Sequence, residues 1–315
     1  MYFRQFRYLV AVAEEGHFGR AAQQCHVTQP TLSSGIKLLE MELGVPIFLR
    51  GRGQGFHGLT PEGVRVAKWA RSVLAHCDAM REEVALMQDN LKGRLRIGAM
   101  PTMSPIVPVL LKPFRDRHPA APVDVQFGGM ETLKVGLNNF SLDVVITYLD
   151  EADRKSKSAL PIYVEQLGLL VPDTPRFHNM TQITWKDAAA LPMSMLRPSM
   201  HLRHFADEVF TAVGCMPNAH VESESILHLM FHVQYTELCT IIPTYFKNTP
   251  GLHKGTKLLD LVEPTVIHDV GMLWTEGDVM MPMASAFVKV VRDLMKSTDL
   301  QKRLSPDLLV EPLEA

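Results

Sequence analysis

The sequence predicts an α/β protein in three parts: an N-terminal winged helix-turn-helix, a long coiled-coil linker helix, and a larger region of alternating strands and helices. Three observations predict it. Apolar residues recur at helical spacing through residues 3–43, and turn signals cut that stretch into three short helices. An apolar seam then runs from Val66 to Leu91 at alternating spacings of 4 and 3, the signature of a coiled coil. From Gly93 onward, short apolar runs alternate with amphipathic ones, as in a mostly parallel sheet covered by helices.

Phe6, Leu9, Val10 and Ala13 share one face, so residues 3–15 read as the first helix, ended near Gly16. Residues 18–25 read as the second, with Ala21 and Ala22 small enough for a close helix crossing and a tight turn at His26 and Val27. Thr28 can cap the third helix through its hydroxyl, Pro30 sits where a missing N–H is harmless, and Gly44 stops it. Leu32, Ile36, Leu39 and Leu43 line its core face. Gln29, Pro30, Ser33, Ser34 and Lys37 are left pointing outward. Ser and Thr are weaker helix formers than Glu, Lys or Arg, so their use there needs a reason. Short hydrogen-bonding groups at a helix start suit base edges and phosphates in a major groove. A three-helix unit that binds another protein is the alternative the spacing leaves open.

VPIFLRGRGQGFHGLTPEG, residues 45–63, carries Gly51, Gly53, Gly55 and Gly58, which suggest a hairpin between two short strands. Arg50 and Arg52 lie near its tip, where they can track phosphates or enter a minor groove. The other reading is a surface loop with solvated arginines.

Taken in order, RAA at Arg20–Ala22, VTQPTLS at Val27–Ser33, LE at Leu39–Glu40, LG at Leu43–Gly44, Ile47–Arg50 and LTPEG at Leu59–Gly63 resemble the winged helix-turn-helix of LysR-type transcriptional regulators. The resemblance implies DNA-facing positions at Thr28, Gln29, Pro30, Thr31, Ser33 and Ser34, with Arg50 and Arg52 in the wing, and Arg20 and the outward Lys37 join them as DNA-binding candidates. Two departures bear on the operator sequence. Gly35 stands where a longer polar residue is usual, and His17 and Gly19 replace small hydroxyl residues.

Thr60 and Pro61 open the linker helix by the same cap-then-proline chemistry. Val66, Ala70, Val73, Cys77, Met80, Val84, Met87 and Leu91 form its seam, which should pair two chains. The bland reading is a helix packed on its own domain. A two-fold dimer demands a dyad-symmetric operator in double-stranded DNA.

Strands are expected in RLRIGAM, VDVQFGG, at 142–148, 166–172, 237–243 and 268–275, with a helix at 283–296. RIGAMPT, FRDRHP, LDVVIT and IIP resemble the LysR-type effector-binding region, which implies two α/β subdomains of periplasmic-binding-protein type around a cleft. The implied division is residues 1–59 for DNA binding, 60–91 for the linker and 92–315 for regulation. Subdomain I takes 92–164 and 268–315, and subdomain II takes 165–267. By position, Met100, Pro101, Thr102, Met103, Ser104, Gly128, Gly129, Met130, Thr147, Ser199, Met200, His201, Leu202 and His268 would line the cleft. Ligands of open α/β sheets bind at strand carboxyl ends, and hydroxyls with free N–H groups suit a small organic acid. The same hydroxyls also read as caps and turn residues.

The net charge of −2 over 315 residues gives no nucleic-acid signature by itself. Cys25, Cys77, Cys215 and Cys239 are scattered, which suits reduced thiols, and the N-terminal apolar run is too short for a signal peptide or membrane span. A cytoplasmic protein with no membrane partner is expected. GxSxG, HExxH and P-loop motifs are absent, and His228 with His232 lacks recognisable further ligands. The expectation is therefore no enzyme, no cofactor and no metal. A homo-oligomer is expected, a dimer through the linker and a tetramer by resemblance, with a small-molecule effector and RNA polymerase as further partners. The competing hypothesis is a helical protein-interaction adaptor with a ligand-binding α/β domain.

Overall fold

The computed structural model describes residues 1–49, 56–86, 93–248, 255–275 and 280–296. They fall into two compact units: Met1–Lys92 with Asn138–Ser141, and Gly93–Leu137 with Leu142–Ala315. Among the described residues no helix is long and apolar enough to cross a membrane.

The first unit opens with α1 (Phe3–Glu15), α2 (Phe18–Gln24) and α3 (Gln29–Leu43). Leu9, Val12, Ala21, Leu32, Ile36, Leu39 and Ile47 make its core. Glu40 ties α3 to the next segment, its Oε1 accepting from the N–H groups of Ile47 and Phe48 at 2.7 and 3.3 Å. Phe48 pairs with Leu59 at the base of the hairpin, and the Leu49 N–H donates to the Gly58 carbonyl at 3.0 Å. The tip with Arg50 and Arg52 lies outside the described residues, as do Met87 and Leu91 of the seam.

Helix α4 spans Pro61–Leu86. The Thr60 hydroxyl donates to the Pro46 carbonyl at 2.7 Å and accepts from the Gly63 N–H at 2.8 Å, which fixes the helix start on the hairpin. Gly63 must lack a side chain, because a Cβ there would overlap the Ile47 carbonyl oxygen. The seam divides along its length. Val66 and Ala70 pack into the unit's own core, whereas Met80 and Val84 are exposed, and so is Trp69, off the seam.

The second unit alternates strands and helices: β1 (Leu95–Ala99), α5 (Val107–Arg117), β2 (Val123–Phe127), α6 (Met130–Asn138), β3 (Val144–Tyr148) and α7 (Glu151–Lys155). The long β4 (Ala159–Pro172) follows, then β5 (Gln182–Thr184), α8 (Trp185–Ala189), β6 (Met193–Leu196), α9 (His201–Ala212), β7 (Ala219–Ser223) and α10 (Ile226–Tyr235). The chain then runs through β8 (Thr240–Pro243), β9 (Thr256–Val262), β10 (Ile267–Trp274) and α11 (Pro282–Met295). Strand order is β2-β1-β3-β10-β4-β9-β5, with β8 also on β4 and β6 paired with β7.

β4 crosses between two halves of this unit. From Ala159 to Gln166 it pairs with β10, and from Leu167 to Pro172 it pairs with β8 and β9. β10 returns beside it, Ile267 opposite Gln166. The two strands are the ribbon on which the halves meet. A core of Leu169, Trp185, Phe210, Leu229 and Ile242 fills the second half. In the first half, Asp143 accepts from the Arg96 backbone N–H at 2.7 Å and pairs with its guanidinium, locking β1 to β3.

Candidate DNA-binding face and effector cleft

The front of α3 is open to solvent. Thr28, Gln29, Pro30, Thr31, Ser34 and Lys37 are exposed and Ser33 is half-buried. Thr28 caps the helix, its hydroxyl accepting from the Thr31 N–H at 3.4 Å and meeting the Thr31 hydroxyl at 2.8 Å. Arg20 is exposed but held, its Nε 3.0 Å from Glu15 Oε2. His17 has taken over the duty of a small hydroxyl residue: its Nδ1 accepts from the N–H groups of Gly19 and Arg20 at 3.0 and 3.3 Å and caps α2. Gly35 belongs to the packing rather than to the outward face, since a Cβ there would press on the Tyr8 ring at 2.8 Å.

The sequence-selected cleft residues separate into groups. Successive side chains of a strand point to opposite faces, and β3 ends with Thr147 and Tyr148. Thr147 is fully buried, its hydroxyl 3.2 Å from Met100 Sδ and 3.4 Å from Met130 Sδ. Tyr148 looks the other way, into a cluster of rings from α9 and β10. Phe205 stacks on His268 at 3.7 Å and 10°, and His201 lies 4.3 Å from Phe205. The Tyr148 ring is 5.3 to 5.8 Å from these three, and Thr102 lies against it.

Behind that cluster sits Glu165, 1% exposed, in β4. The Tyr148 hydroxyl donates to its Oε1 and the Tyr163 hydroxyl to its Oε2 at 3.0 Å. Burial pushes the Glu165 carboxyl up to about 7, against the opposing pull of the two tyrosine hydrogen bonds. Burial and the Glu165 charge raise both tyrosines well above their ordinary value. Burial, helped by His201, lowers His268 to about 4, and burial likewise lowers His201. The imidazoles are therefore neutral near pH 7, and His268 Nε2 is buried without a hydrogen-bond partner.

Several expected lining residues do other work. Leu202 is part of the second core. Met103 is fully buried, 3.6 Å from the Tyr163 hydroxyl. The Ser104 hydroxyl donates to the Pro101 carbonyl at 2.6 Å and borders a separate groove with Val107, Leu111 and Phe127. Gly128 donates its N–H to Ala99, Gly129 begins α6 by accepting from Leu133, and Ser199 is exposed. Pro101 and Met200 are half-buried at the starts of their helical turns. Tyr148, Tyr163, Glu165 and Phe205 were missed, and the only trace of them was one acid inside the run LPIYVEQ. Among the described residues no group of three His, Cys, Asp or Glu side chains is placed to hold a metal ion.

A helix-turn-helix with an open polar recognition face, on one chain with two α/β halves joined by a strand ribbon, defines a DNA-binding regulator with a ligand-binding domain. Residues 3–64 match the bacterial regulatory helix-turn-helix protein of the lysR family, and residues 88–296 match the LysR substrate binding domain. The chain belongs to the LysR family of transcriptional regulators. It is 27% identical over 299 residues to the hydrogen peroxide-inducible genes activator of Haemophilus influenzae, across 94% of this chain and 98% of that one. A full-length OxyR variant from Pseudomonas aeruginosa is 27% identical over 99% of both chains with a TM-score of 0.74. CbnR complexed with its target DNA shares the fold, with 21% identity, 93% and 99% coverage and a TM-score of 0.65.

Proposed function

We propose that this regulator senses a small uncharged polar molecule, of the hydroperoxide class, in the cleft between its regulatory halves. The observation that carries the reading is the buried Nε2 of His268, without a hydrogen-bond partner, on a neutral imidazole packed against the Phe205 and Tyr148 rings. An organic acid, the expectation from sequence, needs a cation that this cluster does not offer. Lys134 on α6 is held by Asp150 and Asp153 at 3.8 and 3.7 Å, and Arg154 on α7 by Asp269 at 2.7 Å. A carboxylate beside Glu165 would also raise that acid further. A hydroperoxide can both donate to and accept from a neutral imidazole, and the name of the Haemophilus influenzae relative supports the class.

The DNA-reading set is Thr28, Gln29, Pro30, Thr31, Ser33, Ser34 and Lys37, with Arg50 and Arg52 adding charge from the hairpin. Arg20 joins them by leaving Glu15. Two chains pair along α4, where Trp69, Met80 and Val84 leave apolar surface, and two dimers make a tetramer. Binding operator DNA sets its work in the cytoplasm. Ligand in the cleft favours one arrangement of subdomains I (92–164, 268–315) and II (165–267), which shifts the population of DNA-bound states. Footprinting tests it: hydroperoxide should alter a protected dyad-containing site, whereas formate, acetate and benzoate should not. Protection that responds to the acids alone sinks the effector assignment. Absence of any protected site sinks the regulator.

A further inference from the structure

Two thioethers of the regulatory unit converge at the end of β3, on the strand face opposite the Tyr148 ring cluster, while the four thiols lie elsewhere. Cys25 follows α2, Cys77 is in α4, Cys215 follows the far end of α9, and Cys239 is buried in the second core. Burial pushes the Cys239 thiol up to about 11, which suppresses the reactive thiolate. Met100 and Met130 instead converge on one hydroxyl, that of Thr147, at 3.2 and 3.4 Å. Met130 is half-buried and Met100 is buried behind it.

We propose that Met130, with Met100 behind it, is a sulfoxidation site that couples hydroperoxide to the state of the regulatory domain. This rests on the peroxide reading above and adds the atom that reacts. The thioether sulfur attacks the outer peroxide oxygen. An S–O bond forms as the O–O bond breaks, sulfur gives up two electrons, and the proton of the outer O–H leaves with the departing oxygen as water or alcohol. The product is a methionine sulfoxide.

The reason this site responds is the buried hydroxyl. A thioether is a weak acceptor, so a fully buried Thr147 hydroxyl facing two sulfurs is poorly satisfied. The sulfoxide oxygen is a strong, polar acceptor. It gives Thr147 a proper partner and sits at the first residue of α6, where the leading N–H groups have no intrahelical acceptor. Oxidation therefore changes the polarity of the α6 start and its hold on the end of β3. Tyr148, the next residue on β3, carries the contact onward to Phe205 and His201 of α9.

The test uses the full chain on its operator, with graded hydrogen peroxide, peptide mass spectrometry and footprinting on the same samples. In the wild type, one added oxygen on the Met130 peptide should track a change in operator affinity on the order of tenfold, and methionine sulfoxide reductases should reverse both. Met130→Leu keeps the exposed Met41, Met80 and Met216 and should stay in the untreated footprint at every dose. Thr147→Val keeps both sulfurs and should form the sulfoxide with the affinity change lost. A wild-type footprint that shifts while Met130 stays a thioether overturns this site and leaves the peroxide reading standing. A Met130→Leu chain that responds like wild type does the same. A wild type whose footprint ignores peroxide overturns both.

Discussion

The recognition helix and the cleft hold their polar groups by opposite means. On α3 they are short, exposed and close in sequence, and one helix with one cap positions them all. In the cleft they are long, buried and drawn from β3, β4, β10 and α9, so Glu165 meets Tyr148 across 17 positions and His268 meets Phe205 across 63. The first arrangement depends on local backbone geometry, and the second on strand register. The two should fail differently.

The largest effect is expected where local geometry has no slack. Gly63→Ala forces a Cβ onto the Ile47 carbonyl and should cost the N-terminal unit roughly 3 kcal/mol, seen as lost hydrogen-exchange protection in α1–α4 while the regulatory sheet keeps its own. Equal loss in both units would break the comparison.

In the cleft the sharper probe is pH. Glu165 has a raised folded-state value, so its contribution is complete below the unfolded value of 4.5 and is lost as pH rises through about 7. That loss amounts to as much as about 3 kcal/mol. His268 runs the other way: it is lowered, so its contribution is present above 6.5 and is lost as pH falls through about 4. The two slopes oppose each other over nearly one window. Glu165→Gln should leave the His268 slope alone, and urea unfolding at pH 5 and pH 7.5 should show stability falling toward acid. A variant with unchanged pH dependence would show that Glu165 is not the buried acid.

Smaller effects separate reading from positioning on α3. Gln29→Ala should cut discrimination at one base pair by about 1 to 3 kcal/mol with the salt slope of binding unchanged. A slope that drops by one phosphate contact would make Gln29 a positioning residue. His17→Ala should cost about 1 kcal/mol in thermal unfolding of the N-terminal unit, with His17→Ser regaining most of it.

Legibility follows the same divide. Helix starts, stops and core faces in the first 44 residues need only near neighbours, so Thr28, Gly44, Leu32, Ile36 and Leu39 could be assigned directly. His17 was obscure because an imidazole is an uncommon cap, and Gly35 because its reason, the Tyr8 ring, lies on another helix. In the regulatory unit the apolar runs of β1, β2, β3, β8 and β10 were readable, but of β4 only the second half was. Its first half contains Pro161 and Glu165, which interrupt the apolar run, and the local sequence does not reveal that the hydroxyls of Tyr163, two residues away, and of Tyr148, on another strand, neutralise that acid's demand for water. The thioether cluster was half visible, since Met100, Met130 and Thr147 were selected by position but their convergence needed the pairing of β1 with β3.

The β4–β10 ribbon limits how the two halves can move. Sliding one strand past the other by a residue would turn every side chain to the wrong face, and Glu165 and His268 would exchange core for solvent. Twist costs far less, because paired strands are coiled to begin with. The ribbon thus behaves as a torsion bar, stiff along its length and compliant about it, so the two halves it joins can turn on it more readily than they can slide.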